Sequence, residues 1–325
     1  MITRRITLLI AAYASLCSPL AFAQTWPDKP IRLVVAYPPG GGLDLVARTV
    51  AQRLGEVLKQ QVVVDNRSGA SGSIGADIVA KAPADGYTLL MASPAEVVVG
   101  PAAGQKMPYN AETDFAPVAL AGETPLVIVA HPSVPVTSIK DFVAYAKANP
   151  GKLSYGTPGN GSSMHFAGES LKAGTGLFMV HIPYRGAAPA VNDVLGNQVS
   201  LAIIGMPPIV SFVKEGRLRA LAVTTAKRSN VLPDVPSVTE LPGMKGYQFT
   251  NWMGVFAPAK TPAALVDRLG AEIAKIVKEP ATSAKLLAAG VDPLGLAGSN
   301  FASFLTAERT RYKKIAKERG IRFEE

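Results

Sequence analysis

Cysteine and histidine are nearly missing from this chain of 325 residues: there is one cysteine, Cys17, and three histidines, His131, His165 and His181. No two histidines stand four residues apart, and neither an HExxH nor a CxxC pattern occurs, so no metal site is expected. Long hydrophobic runs are also lacking. No segment offers the ~18 uncharged apolar residues that a membrane-spanning helix requires. Basic–aromatic patches are absent too. The densest basic run, 309–319, is flanked by Glu308 and contains Glu318, which argues against nucleic acid as a partner. Charged residues make up only 18% of the chain and hydrophobic ones 48%, a globular balance that excludes disorder.

What is present begins with an export signal over 1–23. Arg4 and Arg5 supply the positive start, Ile6 to Tyr13 the apolar middle, and Ala21-Phe22-Ala23 the small residues of a cleavage site. The apolar stretch is too short for an anchor of roughly 20 residues. Cys17 follows Leu16, where an acylated anchor needs a small residue. Cleavage after Ala23 removes that cysteine, so the mature chain has no disulfide to rely on. It also removes two of the 33 basic residues, leaving 31 against 24 acidic ones, a net +7. Such a charge fits solubility, attraction to anionic surfaces or steering of anionic ligands.

The mature sequence alternates strand and helix signals. Ile31 to Ala36 is an apolar, β-branched run of the buried-strand type. Leu43, Val46, Ala47, Val50, Ala51 and Leu54 then form the stripe of a core-facing helix. Between them lies Tyr37-Pro38-Pro39-Gly40-Gly41-Gly42-Leu43-Asp44, a strand-to-helix turn whose free N–H groups suit an anion. Further strands are expected at 61–66, 87–92, 126–130, 153–156, 178–182, 199–204, 219–224 and 252–257. Helices are expected near 74–82, 138–149, 163–172, 262–278 and 299–319, and 101–118 reads as irregular. This order predicts an α/β, doubly wound sheet with ligand loops at the strand ends. Two such series imply two lobes, 24–124 with 250–325 and 125–249, hinged near 124–130 and 250–257 around a cleft.

Loops on both predicted rims carry the candidate contacts. On the first lobe these are Tyr37, Pro39, Gly40, Gly41, Gly42, Leu43, Asp44, Ser93 and Ala95. On the second they are Thr157, Gly159, Gly161, Ser162, Ser163, His165, Tyr184, Arg185, Gly205 and Met206. Asp44 is also explained as a first-turn helix acid, and one of Ser162 and Ser163 as a helix cap. Arg185 suits either carboxylate pairing or a surface role. The spacing of Gly69, Gly72 and Gly75 is not that of a dinucleotide loop. Asp44 and Glu96 are the only acids on the first rim, too little for paired-carboxylate chemistry. Gly161-Ser162-Ser163 lacks the closing glycine of a nucleophile elbow. An exported serine hydrolase acting on a small acid ester, with His131 or His181 near in space, is the alternative to binding without catalysis.

Several motifs in order give the chain a resemblance to the periplasmic solute receptors of tripartite tricarboxylate transporters, the Bug or TctC-like proteins. They are Tyr37 to Asp44 with Ala47-Arg48, Pro83-Ala-Asp-Gly-Tyr-Thr-Leu89, Ser154 to Ser162, Pro183-Tyr-Arg-Gly186, Arg219 to Val223 and Trp252-Met-Gly254. The resemblance implies a two-lobed type II periplasmic binding protein of the Venus-flytrap kind, without cofactor or metal and monomeric. It would close on a small organic carboxylate and serve the large and small membrane subunits of such a transporter. Many relatives carry an Asp where this sequence has Ile204, which implies a plain carboxylate here in preference to an amino acid.

Overall fold

Apolar β-branched segments set the strands, and helices with one apolar stripe cover them. The computed structural model describes residues 26–323; the export signal expected over 1–23, with Cys17, lies outside the described residues. In chain order the first elements are β1 (Ile31–Val35), α1 (Gly42–Leu58), β2 (Val62–Asn66), α2 (Ser73–Ala80) and β3 (Thr88–Ala92), followed by a π-helical turn, Ala95–Val99. A long β4 (Phe115–Ala130) leads into α3 (Ile139–Ala148), β5 (Ser154–Thr157), α4 (Ser163–Thr175), β6 (Val180–Pro183), α5 (Ala187–Leu195), β7 (Leu201–Gly205), α6 (Val210–Lys214) and β8 (Arg219–Val223). The chain returns through β9 (Thr250–Pro258), α7 (Ala263–Lys278), α8 (Pro280–Ala288), β10 (Asp292–Ala297) and α9 (Gly298–Arg319).

Two half-sheets result. One is ordered β2-β1-β3-β9-β4-β10, with β1 parallel to β2 and β3 and the remaining pairs antiparallel. The other is β8-β4-β7-β5-β6, in which β5 is parallel to β6 and β7. β4 belongs to both. It pairs with β9 as far as Pro125↔Thr250, and with β7 from Leu126↔Gly205 onward. Its partner therefore changes between Pro125 and Leu126.

The buried stripe of α1, Leu43 to Leu58, packs on β1 and β3 together with Ile273 and Val277 of α7. A larger core runs from Val34 and Leu90 through Trp252, Phe166 and Tyr312, so α9 seals both half-sheets. The Trp252 indole N–H donates to Glu308 Oε2 at 3.0 Å, which satisfies a fully buried donor. Among the described residues no helix is long and apolar enough to cross a membrane.

Helices α5, α6 and α8 were not among those expected, and two strands depart from the sequence expectation. The segment 101–118, read as irregular, already contains the start of β4. Register shifts between Pro117 and Ala119 and between Leu120 and Gly122 break the alternation that would have revealed it. β10 was not foreseen, because Pro293 and Gly295 disguise an edge strand whose register shifts between Pro293 and Leu296.

Candidate functional site

The C-terminal ends of β1 and β3 face those of β5 and β7 across a narrow cavity. From the first half-sheet it is lined by Tyr37, Pro38, Gly41, Gly42, Leu43 and Ser93, and from the connecting strands by Thr124 and Asn251. The second half-sheet supplies Pro158, Ser162, Met164, Ala187, Gly205 and Pro208. The space open to water centres is about 40 Å3, against roughly 10–15 Å3 for one water.

The rims touch around this space. Ala187 Cβ lies 3.8 Å from where a Cβ on Gly41 would stand, and Pro207 Cγ lies 3.2 Å from that of Gly42. A Cβ on Gly186 would meet Pro38 Cδ at 2.7 Å, and one on Gly159 would meet Ser71 Oγ at 2.6 Å. Both glycines also have positive φ, 138° and 153°, where side chains are strained. The glycines thus permit close approach of the two rims.

The walls carry no charged side chain. Their electrostatics come from the backbone, because three helices begin at the cavity: α1 after Gly41, α4 after Ser162 and α5 after Gly186. First-turn N–H groups lack intrahelical partners, and each N-terminus carries about half a positive charge. Two of these helices belong to one half-sheet and one to the other.

Several expected contacts lie off the cavity wall and do other work. Asp44 is buried, and its Oδ2 accepts from Gly40 N (3.1 Å) and Arg48 Nε (3.0 Å). Its Oδ1 accepts from Asn66 Nδ2, which also donates to Tyr37 O. Burial pushes this carboxyl up, but the bonds from Arg48, Asn66 and Gly40 outweigh it and hold it below the usual range. Pro39 and Gly40 are exposed beside it. Thr157 Oγ1 and His181 Nε2 are 2.7 Å apart, and Thr157 Oγ1 also donates to Gly159 O. His165 is stacked between His181, at 3.7 Å, and Phe323, at 4.3 Å. Tyr184 Oη donates to Asp193 (2.7 Å), Arg185 is exposed, and Met206 is buried in the core of the second half-sheet.

Of the two serines, Ser162 is the cap: its Oγ accepts from His165 N and donates to Gly159 O. Ser163 Oγ donates to Asn251 Oδ1 at 3.3 Å, joining α4 to β9. His165 Nδ1 accepts from Gly161 N, so neither this imidazole nor that of His181 is turned to Ser162 as a base. Ile204 points into the apolar cluster of Val127, Ala190 and Val191, not into the cavity. The preference for a plain carboxylate that was tied to this position loses its basis.

Ser93 has the most connected hydroxyl of the wall. It donates to Glu96 Oε2 at 2.6 Å and accepts from Ala95 N at 3.3 Å. Ser93 N also donates to Glu96 Oε2. Tyr37 Oη donates to Ser71 O and lies 3.4 Å from Ser93 Oγ. Glu96 is wholly buried, and desolvation pushes its carboxyl up to about 8. Sequence reasoning missed Thr124, Asn251, Met164, Ala187, Pro38, Pro158 and Pro208. Thr124 and Asn251 lie at the crossings expected near 124–130 and 250–257, but which side chains there face the cavity follows from the β4–β9 register, which local pattern does not show.

The family described as "Tripartite tricarboxylate transporter family receptor" matches residues 46–321. The UPF0065 protein of the tcbD-tcbE intergenic region of Pseudomonas sp. (strain P51) is 39% identical over 295 residues, covering 91% of this chain and 88% of that one. The structure of R. palustris Rpa4515 with adipate superposes with a TM-score of 0.88 at 37% identity, over 91% of this chain and 99% of that one. MatC from Rhodopseudomonas palustris, with bound malate, gives a TM-score of 0.83 at 26% identity, over 89% of this chain and 99% of that one. The architecture is that of a two-lobed type II periplasmic binding protein, as the sequence resemblance implied.

Proposed function

The chain belongs to the tripartite tricarboxylate transporter receptor family, and from that premise we propose that it captures a small organic carboxylate between its lobes and delivers it to a membrane permease. In this reading it works outside the cytoplasm, exported by the signal over 1–23, and performs no chemistry on its ligand. The hinge is the pair of crossings near Pro125 and Thr250, where β4 changes partner and β9 begins. The observation that carries the reading is the meeting of three helix N-termini from both lobes at a cavity with no charged side chain. Such a site stabilises an anion most when both lobes contribute, so binding favours closure. Rpa4515 with adipate and MatC with malate support a carboxylate as the solute.

A thermal-shift screen of organic acids followed by calorimetry tests this reading, since a bound ligand raises the melting temperature by mass action. Gly41→Asp places a carboxylate among the N–H groups of α1. It abolishes binding, read by tryptophan fluorescence, while far-UV circular dichroism stays unchanged. Unaltered affinity in that variant overturns the assignment of the Gly41 turn.

A further inference from the structure

Behind the second half-sheet's share of the cavity stands a column of rings, none of which lines the cavity itself. In order they are Tyr155 of β5, His181 of β6, His165 of α4 and Phe323, which follows α9. Successive centroids lie 5.0, 3.7 and 4.3 Å apart. The ring of His165 is inclined by only 12° to that of His181 and by 26° to that of Phe323.

Both histidines meet the same loop with their polar edges. His181 Nε2 lies 2.7 Å from Thr157 Oγ1, and His165 Nδ1 accepts from Gly161 N at 3.4 Å. Within the loop so held, Pro158 and Ser162 line the cavity. Gly159 and Gly161 have φ of 153° and 70°, and glycine imposes little conformational limit of its own. The wall is therefore kept in shape from behind.

An imidazole turns readily about χ2, a broad torsion. The flat faces of His181 and Phe323 set the plane of His165. Gly161 N–H at Nδ1 and Glu169, 3.7 Å from Nε2, set its direction. Phe323 is the outer plate of the column. Gly320, at φ 62°, turns the chain back after α9, and Phe323 N donates to Ala103 O at 3.2 Å. The ring is buried and also meets Phe166 edge-on at 6.0 Å.

We propose that Phe323 is a positioning residue for solute binding: stacked on His165, it holds the Gly161 N–H, and with it the wall of Pro158 and Ser162, in the binding geometry. It acts from the side of the loop that faces away from the cavity. A loop set in advance pays no ordering entropy when the solute arrives, so loosening it is read as lost affinity. Only this binding arm rests on the receptor reading above.

Two substitutions separate the ring face from apolar burial. Phe323→Leu keeps a buried apolar side chain and removes the face. Phe323→Tyr keeps the face, and the grooves that Phe323 borders leave room for its hydroxyl. Hydrogen exchange over 157–162 in the ligand-free protein reads the loop, and calorimetry with adipate reads the wall. Phe323→Leu speeds exchange of that segment and leaves α1 at the parental rate. It weakens adipate binding about three- to tenfold, the worth of one aromatic pairing, and Phe323→Tyr restores both. His165→Phe keeps the column but removes the acceptor of Gly161 N–H, so it weakens adipate binding as well. Adding Phe323→Leu to it brings no further loss, because the two act along one path. Losses that multiply in the double variant overturn the inference. So does a Phe323→Leu protein with a lower melting temperature but unchanged loop exchange and adipate affinity. If the parent binds no adipate, the exchange measurement decides the role of Phe323, and the receptor reading stands or falls with the organic-acid screen.

Discussion

His165 lies seven-hundredths exposed between two flat rings, and its burial has a thermodynamic consequence. Desolvation, then the neighbouring His181 and Lys172, hold its imidazole far below the ordinary value of 6.5. Desolvation depresses His181 as well. The 3.7 Å approach of His165 Nε2 to Glu169 is therefore a contact of a neutral ring and not an ion pair. Both rings are neutral in the folded state, whereas the unfolded chain takes up protons below about pH 6.5. The unfolded state then binds more protons, so stability is present above that pH and lost as pH falls, by roughly 1.4 kcal/mol per pH unit and per ring. His165→Phe keeps a ring in the stack and removes one titration. Between pH 6.5 and 4.5 its melting temperature falls less than that of the parent. Parallel curves for the two proteins would refute a neutral His165.

At the scale of elements, the glycine turn before α1 is shaped by a residue that touches no ligand space. Asp44 ties Gly40 N, Arg48 and Asn66 together, and Asn66 in turn fixes Tyr37 O. Asp44→Ala removes the shared acceptor of Gly40 N, Arg48 and Asn66, donors that solvent reaches in part, which costs about 1 kcal/mol. It also loosens the turn that presents the α1 N–H groups. We expect a lower urea midpoint together with about tenfold weaker carboxylate binding; a stability loss with undiminished affinity would limit Asp44 to the fold. Asp44 also shows how far the sequence can be read. Its place in the first turn and the stripe from Leu43 to Leu54 were legible, because helix periodicity is a local property. That Ser162 or Ser163 caps α4 was legible for the same reason, and the structure assigns the cap to Ser162. The bonding of Ser93 to the buried Glu96 was not legible, because it depends on how the chain turns after β3. Nor was β4 as one strand of 16 residues, since Pro117, Gly122 and Pro125 interrupt its pattern while β9 supplies the pairing from more than a hundred residues away.

For the whole molecule, the decisive geometry is that the two rims already touch. Gly41 and Ala187 face each other with a Cβ–Cβ separation of 3.8 Å, counting a Cβ built on the glycine. That is the mean Cβ–Cβ spacing of a disulfide, about 3.8 Å. Gly41 also has φ −86°, so a side chain there carries no left-handed strain. The chain from residue 24 contains no cysteine, so the pair Gly41→Cys and Ala187→Cys can bond only with each other or between molecules. Oxidation should staple the lobes together within one molecule. With the hinge proposed at the β4 and β9 crossings, the cleft then no longer opens, and exchange with solvent is blocked in both directions. A carboxylate added after oxidation fails to bind, one added before is retained through gel filtration, and a reductant reverses both effects. Closure is thereby separated from affinity: if the oxidised protein binds and releases ligand at the rate of the reduced one, the cavity has a second entrance and the clamp is not the gate.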